Sequence, residues 1–209
     1  MTTQLVADLV QRAAALIPER GRAVLGVTGP PGADKSTLAA AIVSGVGAAA
    51  ALVPMDGFHL SNQVLMSLGR RARQGAPDTF DAAGYAELLR RLRRAEPGTV
   101  YAPDFDRTLD EPVAGSIAVP PEVRLVVTEG NYLLLAQAPW PDVTSQLDTT
   151  WYIHLDDDER RRRLTARHER HGMDPAAARA WTAGTDEPNA VLVRAARARA
   201  DLVVELPAG

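Results

Sequence analysis

The chain contains no cysteine. Disulfides, thiolate nucleophiles and cysteine-held zinc are excluded by that alone. It also lacks any run of about 18 apolar residues, so no membrane-spanning helix is expected. The N-terminal stretch "MTTQLVADLVQRAAALIPER" carries an acid early and has no long apolar core. It reads as an amphipathic helix rather than a signal peptide, and the cytoplasm is the expected location. Nor does one sign of charge dominate: 23 basic residues against 26 acidic ones leave a formal net charge of −3. Aromatic residues are only 5% of the chain and no basic platform is interleaved with them, so neither nucleic acid nor an anionic membrane is an expected partner. No His/Asp/Glu set has the spacing of an all-protein metal cage. There is no internal repeat, low-complexity tract or linker. A length of 209 residues with 46% hydrophobic content suits a single domain over 1–209.

What is present is an alternation of apolar runs and helical patterns. Leu5, Val6, Leu9, Val10, Ala13, Leu16 and Ile17 recur at helical spacing, and Pro18 and Gly21 end that helix. "RAVLGVT" (22–28) is a short apolar run and a buried strand candidate. "AAALVPMD" (49–56), "VRLVVTEGNYLLL", "TTWYIHLD" and "ADLVVEL" supply four further strands, and the second and third of the five end in acids, Asp56 and Glu129. Helices are predicted for "STLAAAIVSGV", for the segment capped by Asp81 with Leu88, Leu89 and Leu92 inward, and for "DPAAARAWTAG" and "EPNAVLVRAARAR". "DDERRRRLTARHERHG" is a charged helix with Leu164 as its one large apolar residue. The proline-broken "TVYAPDFDRTLDEPVAGSIAV" reads as short strands and loops on the rim. Strands that are apolar runs, alternating with helices, indicate a parallel sheet covered on both faces.

The most informative stretch is "GVTGPPGADKSTLAAAI". A loop between a strand and a helix aims successive backbone N–H groups at one anion, and the helix N-terminus adds favourable partial charge. Lysine then reaches the terminal phosphates and a Ser/Thr hydroxyl holds Mg²⁺. Gly29, Gly32, Lys35 and Ser36 occupy those places, but Asp34 stands where G-x-x-x-x-G-K-[ST] has its second glycine. Aspartate is among the few residues that tolerate a left-handed backbone, at about 1 kcal/mol. Its charge is the larger concern: two unit charges about 5 Å apart at an effective dielectric near 20 interact by roughly 3 kcal/mol. A carboxylate facing the cradle would weaken ATP binding; one pointing outward would matter little; one paired with Lys35 or Mg²⁺ would be a third outcome. Asp56 and Glu129 leave neighbouring strands at the carboxyl end of the sheet, where open parallel sheets bind ligands. A phosphate cradle, acids to hold Mg²⁺ and a carboxylate to orient a hydroxyl are the parts that phosphoryl transfer requires.

The chain resembles the P-loop kinases of the uridine kinase, phosphoribulokinase and pantothenate kinase group, and most closely a nucleoside kinase-like or fructose-transport kinase-like branch. The similarity runs in order through "GPPGADKST", "VPMDGFHL", "RQGAPDTFD", "YAPDFDR", "EPVAGSIAV", "VTEGNYLLL", "RLTARHERHG" and "DEPNAVLV", nearly the whole chain. It implies the P-loop NTPase three-layer α/β fold: five parallel strands in the order 2-3-1-4-5, helices on both faces, and a helical lid at about 156–172. It implies ATP and Mg²⁺ as cofactors and a small-molecule hydroxyl substrate. The family's nucleotide-binding positions match Gly29, Pro30, Gly32, Ala33, Asp34, Lys35, Ser36 and Thr37, with Asp186 and Asn189 near the base. Lys35, Asp56 as base, and Glu129 match the catalytic positions, and Ser36, Asp56 and Glu129 the metal positions. Relatives form dimers or tetramers, which leaves a homodimer open.

On the charged helix, Arg160, Arg163, Arg167 and Arg170 form one stripe. It is either a solvated face or a lid that closes over the transferring phosphoryl group, with Arg163 and Arg167 as the fingers. Tyr101, Asp104 and Arg107, with His59 and Tyr132, are candidate acceptor contacts; His59 reads equally as a helix-start residue. Arg70, Arg71 and Arg73 either meet an anionic acceptor or form a solvated face. The function expected is ATP-dependent phosphorylation of a nucleoside, pantothenate-like molecule or sugar, with nucleotide affinity lowered by Asp34 relative to a glycine loop. The alternative is a kinase-fold binding or regulatory protein disabled by Asp34.

Overall fold

The computed structural model describes residues 1–207. Its strands β1 (Ala23–Thr28), β2 (Ala50–Leu52), β5 (Leu125–Gly130), β6 (Thr149–His154) and β7 (Leu202–Glu205) form a five-stranded sheet in the order β2-β5-β1-β6-β7. Every pairing in it is parallel. Counted among the parallel strands alone, that is the order 2-3-1-4-5. β1 and β5 are buried along their whole length, as the unbroken apolar runs require.

Helices cover both faces. On one, α1 (Thr3–Ala14) and α2 (Lys35–Val46) bring Leu9, Ala13, Leu38, Ala39 and Ile42 against Leu25, Val27 and Val127. On the other, α4 (Ala82–Arg93) and α5 (Trp140–Thr144) pack Tyr85, Leu89, Leu92, Trp140 and Val143 against Val24 and Val126. Asp81 caps α4 by accepting from the Gly84 N–H at 2.8 Å. Among the described residues no helix is long and apolar enough to cross a membrane.

Three features differ from the expectation. The second strand stops at Leu52, and Asp56 sits in a 3-10 turn, Met55–Phe58, that follows Pro54. The rim segment is one antiparallel hairpin, β3 (Val100–Asp106) with β4 (Glu111–Val119), outside the main sheet. It sits on the Met55–Phe58 turn so closely that a Cβ on Gly57 would collide with the Pro103 carbonyl. A short helix, α3 (Asn62–Ser67), follows, started by the Ser61 hydroxyl accepting from the Val64 N–H. The charged helix is α6 (Asp157–Arg170). The last two predicted helices, α7 (Pro175–Trp181) and α8 (Glu187–Ala195), are joined without a break by a π-helical turn, Thr182–Asp186.

Candidate active site

The loop of residues 29–34 leaves β1 at its carboxyl end and enters α2. Gly29 and Gly32 are needed there: both have positive φ, and a Cβ would lie 2.6 Å from the Ile153 carbonyl oxygen at Gly29 and 3.0 Å from that of Arg160 at Gly32. Ala33 is fully buried, and its N–H donates to the Pro30 carbonyl at 3.2 Å. Lys35 is buried, and Nζ donates to the Pro30 carbonyl at 3.1 Å. Burial pulls its ammonium down to about 8, with the charge of Glu129 opposing the fall. The Ser36 hydroxyl donates to Glu129 Oε1 at 2.8 Å. Burial and the neighbouring Asp56 raise the Glu129 carboxyl, while Lys35 and Ser36 pull it the other way.

Asp34 adopts the left-handed conformation, φ 61° and ψ 25°, and heads α2 without capping it. Its carboxylate is paired with a guanidinium, Oδ2 accepting from Arg163 Nη1 at 2.6 Å, and it lines the groove adjoining the cavity, a groove whose wall also includes Lys35 and Ser36. Arg163 also donates from Nε to Glu159 at 2.6 Å. Hydrogen bonds from Arg162 and Arg163 hold Glu159 down at about 2. The arginine stripe therefore divides. Arg160 is fully buried and donates to the Pro31 carbonyl, Asp157 and Glu187. Arg163 is engaged by Asp34 and Glu159 and lines the adjoining groove with Lys35 and Ser36 rather than the cavity. Arg167 lines the cavity and, among the described residues, has no carboxylate within ion-pair distance. Arg170 is exposed.

A cavity of about 280 Å³ is lined by Lys35, Ser36, Asp56, Glu129 and Arg167 on its phosphate side. His59, Phe80, Phe105, Asn131, Trp181 and Asn189 line the rest, together with Gln74, Gly75, Arg107 and Asp186. Arg107, at the hairpin tip, lies 3.7 Å from Asp56. The His59 Nδ1–H donates to the Asp56 carbonyl at 2.8 Å, and its ring packs on Phe80 and Phe105 at centroid distances of 4.0 and 4.7 Å. Asp186 is paired with His168 at 2.8 Å. Asp186 and Asn189, expected near the nucleotide base, line this cavity together with His59 and Phe80 as well as Lys35 and Ser36. Thr37 instead lines an adjoining groove with Asp34 and Arg163.

Tyr101 and Asp104, expected to contact the acceptor, do not line the cavity. Tyr101 is exposed on β3, and Phe105 of the same strand lines the cavity instead. Tyr132 is fully buried against Phe80 and Trp140, and its hydroxyl donates to the Gly75 carbonyl at 2.5 Å. It shapes the wall from behind, while its neighbour Asn131 faces the cavity. Arg71 pairs with Asp110, which itself lines the cavity, and Arg70 and Arg73 pair with Asp78; none of the three arginines lines it. Gln74, Gly75 and Phe80 lie in the "RQGAPDTFD" segment, Asn131 in "VTEGNYLLL" and Phe105 in "YAPDFDR", none singled out there; Trp181 lies outside the matched segments.

Among the described residues no group of three or more His, Asp or Glu could hold a metal ion unaided. Ser36, Asp56 and Glu129 nevertheless offer hard oxygen donors beside the phosphate loop. That set suits Mg²⁺, which takes a few protein oxygens together with phosphate and water.

No protein-family model matches the chain. A uridine kinase-like protein of Schizosaccharomyces pombe is 34% identical over 175 residues, spanning 79% of this chain and 74% of its own length. An ATP-dependent kinase-like protein of Aspergillus versicolor is 37% identical over 145 residues, spanning 65% and 84%. The crystal structure of a fructose transport system kinase-like protein from Silicibacter sp. TM1040 superposes with a TM-score of 0.87 at 38% identity, over 98% of this chain and 99% of that one. With this loop, sheet order and pair of strand-end acids, the chain belongs to the P-loop kinase family that contains these uridine kinase-like and ATP-dependent kinase-like proteins.

Proposed function

We propose that the chain transfers the γ-phosphoryl group of ATP to a hydroxyl of a small polar metabolite bound between the phosphate loop and the Thr182–Asp186 turn. The observation that carries this reading is the convergence of Lys35, Ser36, Asp56, Glu129 and Arg167 on one cavity. The names of the relatives mention uridine and fructose transport, both polyhydroxyl chemistry. A wall that combines Phe80, Phe105 and Trp181 with Gln74, Asn131 and Asn189 offers apolar contact and hydrogen bonds to such a molecule.

In this scheme the N–H groups at the start of α2 receive the phosphates, and Lys35 exchanges the Pro30 carbonyl for the terminal phosphate oxygens. Ser36, Glu129 and Asp56 would hold Mg²⁺, which when bound neutralises phosphate charge and orients the terminal group. Asp56 accepts the proton of the acceptor hydroxyl, and Arg107 beside it fixes the carboxylate's direction. Arg167, free of a carboxylate partner, compensates the charge that builds up on the transferring group. α6 thus serves as the lid.

The test is ADP formation from Mg·ATP with nucleosides, sugars and pantothenate-like alcohols as acceptors. Asp56→Asn is expected to lower turnover by about 10² to 10⁴ while nucleotide still binds. Failure of the unaltered chain to bind Mg·ATP, or full turnover by Asp56→Asn, would sink the reading.

A further inference from the structure

Asp34 and Arg163 have no part in the scheme above, yet they meet at 2.6 Å across 129 positions of sequence. The contact belongs to a larger seam in which α6 lies directly on the phosphate loop. Arg160 donates to the Pro31 carbonyl at 3.1 Å, and Leu164, fully buried, packs against Gly32, where an added Cβ would lie 3.1 Å from it. Arg163 lies one turn beyond Arg160, and Arg167 one turn beyond Arg163, on the same stripe. The groove alongside is lined by six cations, Lys35, Arg107, Arg162, Arg163, Arg167 and Arg170. Among the described residues that line it, Asp34 is the single acid.

We propose that Asp34 is a positioning residue for Arg167. Its carboxylate holds Arg163, fixes the rotation of α6 on the loop before nucleotide arrives, and thereby sets Arg167 at the terminal phosphoryl group. Glycine at position 34 could supply the backbone conformation but not the bond. This rests on the kinase reading for what Arg167 touches, but not for the contact itself.

The experiment uses calorimetry of the full chain with Mg·ADP and with the Mg complex of a non-hydrolysable ATP analogue. The ratio of the two affinities measures what the terminal phosphate contributes, which a merely structural role would leave unchanged. Arg167→Ala is expected to remove most of the preference for the triphosphate. Asp34→Asn, which keeps a residue tolerant of the left-handed backbone, and Arg163→Ala should each shrink it about fivefold, the upper range for a partly exposed pair. The double variant should lose no more than either single one, and Arg163→Lys should retain the preference. In the nucleotide-free chain, hydrogen exchange in the second half of α6 should quicken in Asp34→Asn while β1 stays protected. An unchanged or larger preference in Asp34→Asn, or single effects that multiply in the double variant, overturns the proposal. An unaltered chain that binds neither nucleotide removes the kinase reading, and unchanged α6 exchange then removes the Asp34–Arg163 contact separately.

Discussion

At the scale of single residues, the chemistry depends on how much charge the buried site can carry before nucleotide arrives. Lys35 and Glu129 are both buried, and each is pushed toward its neutral form by that burial, Lys35 downward and Glu129 upward. Arriving phosphates reverse the balance at Lys35, because an adjacent anion favours the ammonium. The sign of the pH dependence follows. In the free chain Lys35 is protonated below about 8 and neutral above it, whereas in the complex it stays protonated to higher pH. Nucleotide binding above that point therefore takes up a proton. Affinity for Mg·ATP is expected to be flat below pH 8 and to fall by up to about tenfold per unit above it. Calorimetry in two buffers of different ionisation enthalpy reads the uptake directly. Equal affinity on both sides of that pH would contradict it, and Lys35→Gln should abolish the dependence along with most of the binding. Asp34 shows the same principle in another form. Its carboxylate, at the head of the phosphate-loop helix, has its charge met by the Arg163 guanidinium.

At the scale of elements, the hairpin supplies one wall of the cavity through Phe105 and Arg107. Gly57 has no positive φ, so alanine fits its backbone conformation. The obstacle is the Pro103 carbonyl, with the Asp104 N–H 3.1 Å from the same Cβ, and both are backbone atoms that cannot rotate away. Gly57→Ala is expected to lower stability by about 1–3 kcal/mol, the range for overpacking a tight contact. It should move the hairpin with Phe105 and Arg107 and disturb Asp56 beside them, so Mg·ATP affinity is expected to fall as well. Denaturant midpoints and nucleotide titration check the two halves. An unchanged midpoint would show that the hairpin is not seated on that turn.

This contact also marks where the sequence stops being legible. The parallel strands could be read because burial on both faces forces unbroken apolar runs. β4 could not, because most of it is exposed and it carries Pro112 and Gly115, so no alternation survives. The loop, Lys35, Ser36, Asp56 and Glu129 could be read because spacing and strand ends specify them. The direction of the Asp34 carboxylate, the choice of Phe105 over Tyr101, and the placement of Asp186 and Asn189 depend on partners far away in sequence. No local pattern encodes those.

At the scale of the whole molecule, one cavity joins the phosphate loop to the wall that the proposed reaction assigns to the acceptor. Lys35, Ser36 and Arg167 lie on one side of it, and His59, Phe80 and Asn189 on the other, with Arg107 lining both this cavity and the adjoining groove. Two ligands that share walls in this way are coupled, each making the other's site more complete. Because only the folded chain holds the cavity, a ligand at about a hundred times its dissociation constant adds roughly 2.7 kcal/mol of stability, or about 5–10 °C in Tm for a chain of this size. A non-hydrolysable Mg·ATP analogue is expected to give a shift of that order alone. The acceptor should give a smaller shift alone and a more than additive one in the analogue's presence. A panel of nucleosides, sugars and pantothenate-like alcohols then ranks acceptors by that excess rather than by the raw shift, which any weak binder elsewhere on the surface could produce. Arg107→Ala should reduce the excess without abolishing the analogue's own shift, since Arg107 lies between the two sides. Strictly additive shifts for every acceptor would mean that the two ligands do not share the cavity, and the acceptor would have to be sought at another surface.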